Sequence, residues 1–307
     1  MKFNIIYLLL VIFTYCSSIP QSKPLNGSID LQGHRGARGL KPENTIPAFE
    51  EALKRGMTTL ELDTVVTKDK ELIVHHDSEI NPTICKHTEG KVLTREPISN
   101  WTVAELKKLD CGELKNPNFP DQTPVKGTQL STLKEFFDFV KDYEKKNKTT
   151  VKVKFNIETK FPNNPTEESI KEFAALMVSK IEESKMVERS TVQSFTIEVL
   201  PLIKEKNPSL KTSALFVPSI FQGIRLYLGL GSGLKKDILE KTKIVGADIV
   251  SPYFLYVDKE FVHFAHNMKI EVLPWTVNTK KEMLRLKELG VDGIISDYPD
   301  KLQEIFL

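Results

Sequence analysis

The chain has 307 residues, with 43 Lys and Arg against 41 Asp and Glu, and only 3 cysteines. Its 40% hydrophobic and 27% charged residues describe a globular protein and exclude disordered and collagen-like classes. A formal charge of +2 gives no basic footprint for nucleic acid, and three cysteines cannot build a disulfide scaffold.

Lys2 precedes an apolar run from Ile5 to Phe13, and Cys16, Ser17 and Ser18 follow before Pro20. The run is too short to cross about 30 Å of hydrocarbon, and the layout over residues 1–18 is that of a secretory signal. Cys16 opens a second reading, a lipid-modified residue of an exported lipoprotein, against which Tyr15 is a poor cleavage-site neighbour. Both readings place the protein outside the cytoplasm: periplasmic, secreted or lipid-anchored at the envelope. They leave Cys85 and Cys111 either as one intrachain disulfide, which such a compartment permits, or as two buried thiols.

Nine short β-rich runs follow: 31–36, 58–66, 71–76, 153–160, 191–195, 211–216, 247–252, 270–277 and 291–297. Amphipathic helices are predicted between them over 44–55, 166–184, 198–206 and 280–289. This alternation predicts a parallel sheet closed or wound by helices, in one domain over 28–307. The turn Thr67-Lys68-Asp69-Lys70 is too short for a parallel crossover, so the second and third runs form an antiparallel hairpin. Folding about that turn sets Asp63 level with His76 and predicts His76, rather than His75, as the inward histidine. Residues 78–135 are long for a connection and read as an insertion after the third strand. The apolar segment 216–234 carries four glycines; it reads as a helix packed on the barrel with a glycine-rich stop, or as a cover for an acyl chain or a membrane contact.

The chemistry-bearing residues gather at strand ends. Glu61 and Asp63 share one face of a strand, as do Glu158 and Lys160. Three converging carboxylates repel one another and call for a cation among them. Oxygen ligands favour Ca2+ or Mg2+. His34 and His76 supply a general acid and base that titrate near neutrality, and Arg35 and Lys160 supply fixed positive charge for a phosphate. Trp275 and Phe195 stand on strand-end runs where they either pack in the core or line the substrate.

The stretches HRGARGLKPENTIPAF (34–49), ELDTVVTKDKELIVHHD (61–77), FNIETK (155–160), VQSF (192–195), LPWTVN (273–278) and GIISDYPD (293–300) resemble, in order and spacing, the glycerophosphodiester phosphodiesterase family. The resemblance implies a TIM-type (β/α)8 barrel of the phosphatidylinositol-phospholipase-C-like kind, with a family-type insertion. It implies Glu61, Asp63 and Glu158 as ligands of one divalent cation, His34 and His76 as the acid/base pair, Arg35, Lys160 and Trp275 at the substrate, and Glu43 as a further active-site carboxylate. Lys70 and Ser296 depart from the family's usual glycine and threonine. The implied substrate is a small glycerophosphodiester, such as glycerophosphocholine or glycerophosphoethanolamine, cleaved to sn-glycerol 3-phosphate and an alcohol. Two other readings stand beside it: lysophospholipase D or sphingomyelinase-D-like cleavage of lipids, and a surface binding protein on the same barrel.

Overall fold

The computed structural model describes residues 19–307; the expected signal over 1–18 and Cys16 lie outside the described residues. The chain runs through β1 (Asp30–Gly33), α1 (Ile46–Lys54), β2 (Thr59–Val66) and β3 (Leu72–Val74). Next come β4 (Lys86–His87), α2 (Val103–Leu106), β5 (Leu109–Asp110) and α3 (Leu133–Asn147). The repeating half follows: β6 (Lys154–Thr159), α4 (Glu167–Glu183), β7 (Ser190–Ser194), α5 (Val199–Lys206), β8 (Lys211–Phe216), α6 (Ile220–Tyr227) and α7 (Ser232–Ile244). It ends with β9 (Ile249–Pro252), α8 (Lys259–Asn267), β10 (Glu271–Val272), α9 (Lys280–Leu289), β11 (Gly293–Ser296) and α10 (Pro299–Phe306).

Eight strands run parallel in the order β10-β9-β8-β7-β6-β2-β1-β11, and β3 pairs off this path with β2. Backbone bonds from Asp292 N to Val272 O (3.0 Å) and from Ile295 N to Pro274 O (3.1 Å) join the two ends, so the α/β sheet forms a nearly closed barrel. All nine predicted strands are present. The eighth is shorter than its apolar run, because Pro274 has no N–H to give the ladder and regular pairing stops at Val272.

The helices form where their caps and apolar stripes say they should. Thr166 caps α4 by accepting from Ser169 N, and Phe173, Ala174, Met177, Val178 and Ile181 turn one buried stripe to the sheet. In α3, Thr132 and Glu135 form a capping box, and Phe136 and Phe137 meet Phe155 of β6 and Phe49 of α1 in edge-on and tilted ring contacts.

The hairpin register differs from the expected one by a residue. Thr64 pairs with Val74, and His75 N donates to Asp63 O, so His75 rather than His76 lies level with Asp63. Regular pairing ends at Val74; the chain then bends, and His76 reaches the barrel mouth while His75 is buried at 3% exposure. The turn needs a left-handed residue, and Lys70 adopts φ +60° there.

Between β3 and α3 the chain builds a small core of its own. Ile80, Ile84, Ile98, Leu106, Leu109 and Leu130 pack on Val65 and Ile73 of the hairpin, and Cys85 is disulfide-bonded to Cys111 within this cluster.

Candidate active site

The first strand end is shaped by two glycines. A Cβ on Gly33 would stand 2.3 Å from Gly36 O, and one on Gly36, at φ +81°, would stand 2.6 Å from the Ala48 backbone. The intervening His34-Arg35 pair is thereby folded back over the barrel mouth, with Arg35 itself at φ +49°. Its amide donates to Glu61 Oε2 (2.8 Å), and its guanidinium lies 3.2 Å from Asp63 Oδ2 and 2.7 Å from Glu43 Oε1.

Register assembles the carboxylates. On the neighbouring strands β2 and β6, Asp63 lies level with Glu158, and Glu61 stands two residues earlier on the same face. One oxygen from each of Glu61, Asp63 and Glu158 falls within 4.8 Å of the others, and all three residues are buried. Burial and its two carboxylate neighbours push the Glu61 carboxyl well up. Burial, opposed by Lys160 but reinforced by Asp63, pushes Glu158 up to about 7. Burial would raise Asp63 too, but Lys160 and Arg35 outweigh it and hold it well below the usual range. Lys160 Nζ stands 2.6 Å from Glu158 and 3.2 Å from Asp63, yet Asp63 Oδ1 and Glu158 Oε1 receive no well-directed hydrogen bond. Buried oxygens in need of a partner, drawn from an all-carboxylate set, fit a hard divalent cation.

The two histidines flank this triad, each held through Nδ1. His34 Nδ1 lies 2.6 Å from Asp297 Oδ1, with His34 Nε2 3.9 Å from Glu61. His76 Nδ1 lies 2.7 Å from Asp77 Oδ1. Burial lowers both imidazoles in spite of those carboxylates, so both favour the neutral form. Asp297, held at about 2 by His34 and Arg38 against the upward push of burial, is fixed from its other oxygen by Asn278 (2.7 Å).

His34, Arg35, Glu61, His76, Glu158 and Lys160 open onto one cavity of about 240 Å3, walled by Gln193, Phe195, Leu215, Trp275 and Ile295. Trp275 is fixed by its indole N–H to Ser251 O (2.8 Å) and by the edge of Phe195, 5.3 Å away between ring centres. Glu43 stands apart from the triad: it bridges Arg35 and Arg38, and although burial favours its neutral form the two cations hold it at about 2. It positions the arginine.

Several functional residues escaped the sequence reading. Asn44, at φ +56°, donates to Asp63 Oδ2 (2.8 Å) and accepts from Asp63 N. Beneath the triad, Asn156 donates to Gln32 and Gln193, and Gln193 donates to Glu61 Oε1 (2.8 Å). The signal for this layer was there, since Gln32 and Asn156 stand two residues before His34 and Glu158. Asp297, directly after β11, carried no such spacing signal, because its partner His34 is distant in sequence.

A barrel whose strand ends present two imidazoles, fixed cations and a buried carboxylate triad has the parts of a phosphoric diester hydrolase. The family model for the glycerophosphoryl diester phosphodiesterase family matches residues 34–301. A glycerophosphodiester phosphodiesterase from Bacillus subtilis is 30% identical over 276 residues, 89% of this chain and 84% of the relative. One from Caldanaerobacter subterraneus is 29% identical over 88% of this chain and 94% of its own length. Among solved structures, a Silicibacter pomeroyi protein assigned to the same activity superposes with TM-score 0.79 at 28% identity, covering 94% of each chain. The chain belongs to the glycerophosphoryl diester phosphodiesterase family, and its activity is glycerophosphodiester hydrolysis.

Proposed function

We propose that the protein cleaves small deacylated glycerophosphodiesters, such as glycerophosphocholine and glycerophosphoethanolamine, to sn-glycerol 3-phosphate and an alcohol. The observation that carries this reading is the meeting of Glu61, Asp63 and Glu158 within 4.8 Å beside His34 and His76, in a cavity of only about 240 Å3. That volume suits a glycerophosphoryl group. An Oleispira antarctica phosphodiesterase of the same fold, 23% identical with TM-score 0.67, is known in complex with sn-glycerol 3-phosphate, which matches the product proposed here.

Glu61, Asp63 and Glu158 would hold Ca2+ or Mg2+, which would supply charge neutralisation at a phosphoryl oxygen. Arg35 and Lys160 bind and orient the phosphate from fixed positions, because Glu43 and the triad hold both in place. One imidazole takes the proton of the attacking oxygen, from water or from the substrate's own glycerol hydroxyl, as that oxygen bonds to phosphorus. The other, as its imidazolium, gives a proton to the departing alkoxide as the P–O bond to the alcohol breaks; attack by the glycerol hydroxyl gives a cyclic phosphate that water then opens to sn-glycerol 3-phosphate. Asp297 and Asp77 fix the ring orientation of His34 and His76 and leave each Nε2 for the substrate. Trp275 and Phe195 wall the glycerol side.

A human lysophospholipase D, 25% identical over 88% of this chain, keeps a lipid reading in view. The test is turnover of glycerophosphocholine against lysophosphatidylcholine with Ca2+ or Mg2+. Preference for the deacylated compound by at least tenfold supports the proposal; the opposite preference makes the enzyme a lysophospholipase D.

A further inference from the structure

The segment after β8 forms the expected helix, which rests on the barrel through Leu226 and the turn at 254–256 but turns its other apolar side chains outward. In α6 only Leu226 is buried. Ile220, Phe221, Ile224, Tyr227 and Leu228, spaced i, i+1, i+4, i+7 and i+8, form one stripe that faces outward, with exposures of 82, 81, 52, 82 and 62%. Leu230 continues it at 62%. The helix is not frayed: Ser219 and Gln222 close a capping box at its start. An amphipathic helix with its apolar face turned to solvent requires a partner for that face.

We infer that α6 docks the barrel mouth onto an anionic lipid surface. Three observations select this occupant. First, α6 leaves the carboxyl end of β8 only five residues after Leu215, which walls the catalytic cavity, so the helix starts at the mouth end of the barrel. Second, residues 216–236 contain no carboxylate; Lys235 and Lys236 pair with Asp258 and Glu240, and the exposed Arg225 of α6 has no ion-pair partner among the described residues. An exposed apolar stripe beside an unpaired cation suits an anionic lipid surface. Third, the stripe is carried by one helix and the few residues after it, and lipid insertion needs no complementary surface, because each apolar side chain contributes separately. The docking goes beyond the proposed activity and stands on the surface alone; only the benefit of bringing the mouth to a lipid-derived substrate rests on that activity.

The experiment is co-sedimentation of residues 19–307, the folded barrel, with vesicles of phosphatidylcholine alone and of phosphatidylcholine with a quarter phosphatidylglycerol. The protein should partition onto the anionic vesicles. The Ile220→Ser/Phe221→Ser/Ile224→Ser variant should lose at least tenfold in partitioning and Arg225→Glu at least threefold, both with unchanged turnover of soluble glycerophosphocholine. No binding to anionic vesicles, or equal binding by the triple variant, overturns the inference. So does a dimer seen by light scattering that the triple variant dissolves, which makes the stripe a self-interface. Vesicle binding by a chain inactive on glycerophosphocholine would sink the proposed substrate and leave the docking intact.

Discussion

Replacing Asp297 by Asn isolates what this carboxylate does for His34. The His34 Nδ1 to Asp297 Oδ1 distance of 2.6 Å and the Asn278 bond to Oδ2 at 2.7 Å leave little freedom for rotation. An amide in this place must turn its N–H2 toward either the Asn278 amide, itself a donor, or His34 Nδ1. In the second case Nδ1 becomes an acceptor and the proton moves to Nε2, the nitrogen that faces the reaction. The variant also removes the negative charge that supports an imidazolium. A hydrogen bond to a charged group is worth about 1.5–3 kcal/mol, which at about 1.4 kcal/mol per tenfold predicts a fall of roughly 10- to 150-fold in kcat. Steady-state release of sn-glycerol 3-phosphate should show that fall with KM within about threefold of wild type. A kcat within twofold of wild type, with thermal stability retained, would refute the orienting role.

Three further outcomes follow from the same geometry. Removing the Cys85–Cys111 bond, which spans 26 residues, with Ser at both positions should cost about 3.5 kcal/mol by loop-closure entropy, read by denaturant unfolding; an unchanged midpoint contradicts it. Glu158 sits at about 7 against an ordinary 4.5, so the metal-free native state gains stability below 4.5 and loses it as pH rises through 7. Added Ca2+ or Mg2+ should therefore raise Tm more at pH 8 than at pH 6, and equal shifts would speak against a carboxylate site. Asn44→Ala should lower kcat at least tenfold and cost about 1–3 kcal/mol, because Asp63 loses two buried hydrogen bonds; calorimetry and kinetics together check it.

Periodicity made the architecture readable before any coordinates, down to the antiparallel hairpin that kept a ninth strand out of the barrel. The triad was equally legible, since i, i+2 spacing on parallel strands leaves only the register between β2 and β6 to be supplied. His76 came out at the mouth for a different reason from the one expected. The hairpin pairs one residue out of the expected register, and the bend after Val74 carries His76 to the mouth. What stayed hidden depends on contacts distant in sequence. Asp297 meets His34 across 263 positions, and the outward turn of α6 cannot be told from its apolar spacing, which a buried helix shares.

The central claim, that the buried triad holds the cation with which His34 and His76 cleave the diester, is tested most directly by metal removal and return. Glycerophosphocholine cleavage by chelator-treated wild type and by Glu61→Gln, read as sn-glycerol 3-phosphate before and after Ca2+ or Mg2+ is restored, gives the answer. Wild type should fall at least 100-fold and recover fully, while Glu61→Gln should stay low throughout. Turnover that survives chelation, or a Glu61→Gln variant as active as wild type, would contradict the account.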